Sequence, residues 1–351
     1  MKRFPLRPAV AAVSLALAGL AHAQDSGITH KISGYGTLAG TFTDSSDAEY
    51  VGSLGKFKGA DKQLDIGVDS RVGLQGVVNF DSQFSMTAQA LMTRRQAKDF
   101  DVGMEWLYAQ YAPIPEVNVR LGRVLMPSFL LSDSINVGYA QPWMRAPGEV
   151  YAQMLTNTVD GVQIGARHNF GSVLLSGQVS TGKSSFSIVV QSLGPVTVPV
   201  DHVVSTNLTA EVGNWLARIG QATLHTNVSK DDFAQIGMQY DNGTAVFMSE
   251  GTRRHNTTSS YNNKSWYVAG GWRFGKLLPM VTYAALRPDV DNPVVKPVKS
   301  VAFSTRYDLA SNVAFKAQVT RSDSTASLFI NKTANVSSKI TVAAFGLDFI
   351  F

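Results

Sequence analysis

The sequence predicts an all-β protein, a transmembrane antiparallel β-barrel of about sixteen strands, and three observations carry that expectation. Its last twelve residues alternate with a period of two: Thr341, Ala343, Phe345, Leu347, Phe349 and Phe351 share one face, and Val342, Ala344, Gly346 and Asp348 the other. Stretches of that kind follow one another from Ile28 onward, with little helical spacing between them. The connections alternate in length, with short turns on one rim and long loops on the other, the layout of a closed membrane barrel. A β-sandwich mixes long and short crossings at both ends.

The amino terminus reads as an export signal. Lys2, Arg3 and Arg7 precede the apolar run Ala9 to Ala21, and Ala21-His22-Ala23 is a small-x-small cleavage site, so residues 1–23 are expected to be removed and 24–351 to form a single barrel domain. The formal charge of +5 then falls to +2, with 28 Lys and Arg against 26 Asp and Glu, and implies no nucleic-acid partner. The absence of cysteine excludes disulfides, thiol catalysis and cysteine-held metals. Beyond the signal no apolar run approaches the roughly 18–20 residues of a spanning helix, so a membrane reading requires strands. A mean hydropathy near zero fits strands that alternate apolar and polar residues.

Taken in order, the expected strands are 28–43, 64–78, 82–94, 103–113, 116–126, 159–169, 172–181, 203–213, 214–224, 232–241, 243–253, 264–275, 276–287, 298–309, 311–321 and 340–351. An even number returns both termini to one side. Tight turns fall at Asn79-Phe80-Asp81-Ser82, Pro113-Ile114-Pro115-Glu116, Asn169-Phe170-Gly171-Ser172, Gly213-Asn214, Asp241-Asn242-Gly243, Gly275-Lys276 and Leu309-Ala310-Ser311-Asn312. Asn-Gly is the strongest hairpin signal among them. The longer connections are 44–63, 95–102, 127–158, 182–202, 225–231, 254–263, 288–297 and 322–339.

Several strands show two faces. In the second, Ile66, Val68, Ser70, Val72 and Leu74 alternate with Asp65, Gly67, Asp69, Arg71 and Gln75; in the twelfth, Trp266, Val268, Gly270, Trp272 and Phe274 alternate with Tyr267, Ala269, Gly271 and Arg273. The fifteenth sets Val313, Phe315, Ala317 and Val319 against Lys316, Gln318 and Thr320. An isolated charge facing hydrocarbon near the midplane costs about 2–4 kcal/mol, so Arg71, Arg273 and Lys316 belong on a watery inner face. The fourth and thirteenth strands fit either parity. Tyr111, Trp215, Tyr240, Trp272, Phe274 and Tyr307 fall near strand ends, as an interfacial girdle requires.

On this barrel, particular stretches resemble the Gram-negative general porins, trimeric sixteen-stranded diffusion channels. They are Gly34-Tyr35-Gly36, Ser70-Arg71-Val72-Gly73-Leu74-Gln75-Gly76, Leu121-Gly122-Arg123 and the terminal Phe351, in the family's order. The resemblance implies a long third loop folded into the lumen, here Pro127 to Thr158, with Asp133 and Glu149 opposite Arg71 and Arg167 on a basic wall. It implies an assembly signal in Phe349 and Phe351 read by the barrel-assembly machinery, a homotrimer, lipopolysaccharide around it, and small hydrophilic solutes as cargo in the cell outer membrane. The loop departs from the family's acidic, glycine-rich pattern in Tyr139, Trp143, Arg145 and Tyr151, which points to an aromatic-lined constriction.

By parity Arg71, Arg120, Arg167, Arg218, Arg273, Arg306 and Lys316 face inward against Asp65, Asp69, Glu211 and Asp348, so a weak anion preference is expected. The competing reading is plain: an inward arginine is more often a satisfied wall residue than a selectivity determinant. Arg123 has the outer parity and is expected to meet a neighbouring subunit.

Two patterns mimic chemistry. Gly177-Gln-Val-Ser-Thr-Gly-Lys-Ser184 matches the phosphate-binding loop, yet that mechanism needs a helix after the lysine, and Ser185 to Val190 alternates as a strand does. His202, His225 and His255 lie in or beside long loops, where a rim hydrolase or metal site would sit, but neither a His-Glu-x-x-His pair nor a Gly-x-Ser-x-Gly elbow accompanies them. The expected function is therefore a passive channel, not an enzyme, with no cofactor and no metal. A substrate-specific pore and an outer-membrane barrel hydrolase are the alternatives.

Overall fold

The computed structural model describes residues 27–53, 56, 58–95, 98–154, 156–190, 194–258, 262–289, 296–323, 328–333 and 336–351; the export signal expected over 1–23 lies outside them. The strands are β1 (Thr29–Thr43), β2 (Ala48–Tyr50), β3 (Arg71–Asn79), β4 (Phe84–Arg95), β5 (Lys98–Ile114), β6 (Val117–Leu125), β7 (Thr158–Phe170), β8 (Val173–Val190), β9 (Gly194–Val212), β10 (Trp215–His225), β11 (Lys230–Asp241), β12 (Ala245–Asn256), β13 (Asn263–Trp272), β14 (Leu277–Pro288), β15 (Val298–Ala310), β16 (Val313–Asp323), β17 (Phe329–Asn331) and β18 (Lys339–Ile350). Sixteen of them form one closed antiparallel barrel, and β2 pairs with β17 in a separate two-stranded ribbon. Each barrel strand pairs with its neighbour in the chain, and β1 closes the ring by pairing with both β18 and β3.

Alternation sorts the two surfaces. Leu38, Ile219, Ile236, Val281 and Phe303 are exposed on the outside, while Thr37, Gln163, Ser205 and Lys316 are buried on the inside. The short-turn rim carries the expected aromatic girdle, with Trp215 against Tyr240 at 4.6 Å and Phe84 stacked on Tyr111 at 4.7 Å between ring centroids.

The motif residues of the two ends meet where the barrel closes. Gly34 and Phe351 exchange backbone hydrogen bonds of 2.8 and 2.9 Å. A Cβ on Gly34 would collide with the Phe351 ring, and one on Gly36 with the Phe349 ring, so glycine at these two positions is what lets the terminal aromatics lie flat on β1. Tyr35, between them, points the other way and covers Gly73 of β3, its hydroxyl donating to Gln89 Oε1 at 3.2 Å.

Two expectations need correction. The second barrel strand begins at Arg71, not at 64, because the Asp65 carboxylate turns the chain by accepting the backbone N–H groups of Gly67 and Val68. Residues 182–190 and 194–202 are strand and not loop: β8 and β9 extend their pairing through them with Phe186 opposite Val198, so no helix follows Lys183 and the phosphate-loop reading has no structure to support it. The ambiguous strands also have physical explanations. In β5 a register irregularity at Gln89/Ala90 switches the outward set from Val102 and Met104 to Leu107 and Tyr111. In β14 both faces are apolar, since Leu278 and Met280 on the inside are 2% and 1% exposed beneath the segment that follows β6.

Candidate functional site

The segment after β6, residues 126–157, is irregular over its described residues 126–154 and 156–157, with single 3-10 turns at Ser132–Ser134 and Gly138–Ala140 and one helical turn, α1 (Gly148–Tyr151). Its apolar side chains pack on the inner faces of β9 to β14. Trp143, only 1% exposed, meets Tyr267 edge-on at 5.7 Å between ring centroids, and Phe129 stands between Tyr151 and Phe233 at 5.0 and 5.2 Å. These contacts belong to one buried cluster with Met248, Leu278 and Met280.

The segment has few regular backbone partners of its own, and wall cations supply them. Arg218 donates to the carbonyls of Phe129 at 2.9 Å and Leu130 at 3.3 Å and forms an ion pair with Asp133 at 2.9 Å. Arg306 donates to the carbonyls of Tyr139 and Gln141, and its guanidinium lies 4.6 Å from the Tyr139 ring centroid. Lys316, fully buried, donates to the carbonyls of Gly138 and Trp143 and pairs with Asp348 at 2.8 Å. From the wall, Glu250 accepts the Leu130 N–H at 2.8 Å and the Tyr151 hydroxyl at 2.6 Å. Buried cations without such acceptors would be costly, so wall and segment satisfy one another.

The other predicted wall residues are distributed differently. Arg120 bonds Gln110 and Gln163 at 2.8 and 3.1 Å, and Arg167 reaches the Pro115 carbonyl at 3.3 Å near the short-turn rim. Arg273 pairs with Asp241 at 3.3 Å and, with Arg306, lines a cavity of about 210 Å³. The acidic residues expected opposite Arg71 and Arg167 lie elsewhere. Asp133 is taken by Arg218; Glu149 is buried beside Ser300, and burial raises its carboxyl above the usual range. Arg123 does face outward, in an exposed ion pair with Asp160 at 2.7 Å.

A cavity of about 550 Å³ opens on the opposite side of the interior, between the segment and the walls of β3 to β8. Lys56, Arg71, Arg94, Arg95 and Arg145 line it, against Asp69 and Glu105; the Arg123–Asp160 pair also belongs to its lining, and Ser184, Ser185 and Ser187 supply hydroxyls. Arg145 pairs with Asp69 at 2.7 Å and lies 4.6 Å from the Tyr50 ring centroid; Arg94 is held by Asp65 at 2.8 Å and Arg95 by Glu105. Arg71 Nε is buried without a hydrogen-bond partner among the described residues. Burial pulls the Lys56 ammonium down to about 8. Arg145 is the reverse case: burial works against its charge, but the Asp69 carboxylate and Tyr50 hydroxyl beside it raise its pKa.

Sequence reasoning missed Lys56, Arg94, Arg95 and Glu105. The Arg94-Arg95 doublet is a visible signal, but the register irregularity between Thr93 and Arg95 defeats any reading by parity. His202 and His225 are cross-strand partners with ring centroids 6.2 Å apart, and His255 lies opposite Asp232. Among the described residues no group of His, Asp and Glu could hold a metal ion.

A sixteen-stranded barrel with an apolar outside and a charged, hollow inside is, by class, an outer-membrane channel protein. The Gram-negative porin family matches residues 9–327, and the chain belongs to that family, whose members are non-enzymatic channels for passive diffusion across the outer membrane. No curated protein sequence matches it. Solved structures share the fold at low identity. Salmonella typhi OmpF in complex with daunomycin has a TM-score of 0.63 at 12% identity, with 93% of this chain and 99% of that chain covered. The trimer form of in-vitro folded OmpT from Vibrio cholerae scores 0.59 at 12% identity, covering 93% and 100%. The anion-selective porin from Comamonas acidovorans scores 0.58 at 12% identity, covering 92% and 100%.

Proposed function

We propose that small hydrophilic solutes pass through the 550 Å³ cavity beside the 126–157 segment, which acts as an inward-folded constriction, and that anions pass in mild preference to cations. One observation carries the preference: six cations line the cavity, against three acids in the lining and Asp65 behind Arg94. A wall of one sign concentrates counter-ions in a narrow low-dielectric passage. The similar fold of a porin described as anion-selective is in keeping with this reading. Tyr139, Trp143 and Tyr151 are engaged in packing and hydrogen bonding, which favours general passage over an aromatic-lined, substrate-specific constriction.

In this reading the chain is cleaved after Ala23, Phe349 and Phe351 present the closing strand to the barrel-assembly machinery, and the mature protein is a homotrimer surrounded by lipopolysaccharide. The trimer form of the OmpT structure supports the assembly. The test is the zero-current potential of the purified protein in a planar bilayer under a tenfold potassium chloride gradient. A chloride-directed potential is expected; a potassium-directed one overturns the preference, and saturable flux of a single solute would restore the substrate-specific alternative.

A further inference from the structure

Outside the barrel, near the long-loop rim, three cations stand side by side on consecutive strands. Arg253 of β12 is the direct partner of Lys264 of β13, and Lys264 is the direct partner of Arg287 of β14. All three are exposed, Arg253 and Lys264 by 61% and 62% of their side-chain surface, and share the outward parity of Trp266 and Tyr283. Like charges placed directly opposite in an antiparallel ladder repel one another. Among the described residues one acid answers the row: Asp289, 3.3 Å from Lys264 and 3.8 Å from Arg253, with no ion pair to Arg287. The row thus keeps an uncompensated excess of positive charge on a surface whose neighbouring positions face lipid.

Its height is marked independently. Trp266, two residues from Lys264 on the same face, packs with Tyr283 of β14 at 5.4 Å between ring centroids, and both rings are exposed. Exposed Trp and Tyr on a membrane barrel sit at the level of the lipid head groups. At about 3.4 Å per strand residue the cations lie roughly 7 Å beyond the Trp266 position, on the loop side of the aromatic pair. That is where phosphate would be met and acyl chains would not.

We propose that Arg253, Lys264 and Arg287 form a binding site for the phosphorylated sugar head group of lipopolysaccharide, with the lipid's phosphate bridging adjacent cations and its acyl chains running down past Trp266 and Tyr283. The proposal deepens the outer-membrane reading above and rests on it for the identity of the surrounding lipid. Each cation near an anionic lipid surface strengthens binding by about fivefold.

The test uses the full chain in detergent, with bisphosphorylated lipid A, fully dephosphorylated lipid A and inorganic phosphate as separate probes, read by native mass spectrometry and by shift of the thermal midpoint. The natural protein should retain bisphosphorylated lipid A in preference to the dephosphorylated form. The R253Q/K264Q/R287Q variant should lose at least tenfold in that affinity, with bilayer conductance unchanged. Equal retention of both lipid A forms by the natural protein overturns the site even if the variant fails to fold. Unchanged affinity in the variant also overturns it. So does equally tight binding of inorganic phosphate alone, which would make the row a free-phosphate site, or loss of trimer without any lipid dependence, which would make it a subunit contact. Failure of the channel reading would look different: conductance would be missing from the natural protein whatever the lipid result.

Discussion

The two sides of the barrel interior are built on opposite principles. Against β9 to β14 the inner wall is apolar and the 126–157 segment fills it, with Trp143, Phe129 and Tyr151 set among Tyr267, Phe233 and Met280. Against β3 to β8 the wall is charged, the cavity stays open, and Arg71 and Lys56 face it. Cations occur on both sides with different roles. On the filled side Arg218, and on the adjoining β15 and β16 Arg306 and Lys316, donate to loop carbonyls; on the open side Arg145, Arg94 and Arg95 are held by carboxylates at the cavity edge. A count of inward arginines cannot distinguish them. What separates an anchor from a pore residue is whether backbone acceptors come within reach.

The largest effect should come from emptying the filled side. Trp143→Ala removes a fully buried indole, and such truncations cost about 3–5 kcal/mol. The ring of paired strands does not depend on it, so the barrel should remain while the segment loosens. We expect a larger and noisier single-channel conductance with little change in charge preference. A preserved conductance would mean that the segment is held by its polar anchors alone. Arg145→Leu acts on the open side and should do the converse. It leaves the nearly buried Asp69 unpaired, and breaking a buried pair costs about 3–5 kcal/mol, part of which Asp69 recovers from Thr41 and from water in the cavity. The zero-current potential should move toward cations while the conductance changes little.

This division also explains how much was legible in the sequence. Strand order, turn positions and the outward face could be read because period-two alternation against lipid leaves a one-dimensional record, as in Val313 to Thr320 or Trp266 to Trp272. The joining of the ends was half visible: Gly34-Tyr35-Gly36 and Phe351 stood out, but that the glycines receive the terminal rings is a contact across more than 300 residues of chain. The candidate site was less legible. Parity gave Arg71, Arg218, Arg306 and Lys316 the same inward direction, whereas their partners depend on where an aperiodic segment lies. Bulges hid Arg95 and Glu105, and Lys56 sits in a loop where alternation has no meaning. Apolar residues on the inner face of β14 gave no clear parity because they meet protein instead of water.

A smaller effect should separate the two sides by pH. Burial lowers Lys56 to about 8 from an ordinary 10.5, so its charge is lost as pH rises through 8, where an exposed lysine would keep it. Raising the pH from 7 to 9 should therefore remove one of the six cavity cations and reduce anion preference in a single step. Lys56→Gln should show no such step and should behave at pH 7 as the natural protein does at pH 9. A step that persists in the variant would assign the titration to another group.

The smallest effect is expected at the β2–β17 ribbon, which joins the first and last long loops and places Tyr50 beneath Arg145. Lys332 pairs there with Glu49 at 2.7 Å and Asp61 at 2.9 Å, but it is 37% exposed, and such pairs contribute about 0–1 kcal/mol. The apolar contact of Tyr50 with Phe329, at 5.3 Å between ring centroids, should hold the ribbon largely without it. Lys332→Ala should then raise the rate of proteolytic nicking in these loops by no more than about fivefold at low salt. At 1 M salt, where screening extends to about 3 Å, the difference should vanish and the zero-current potential should match that of the natural protein. A large shift in that potential would show that the ribbon's ion pairs, and not its rings, set the position of Arg145.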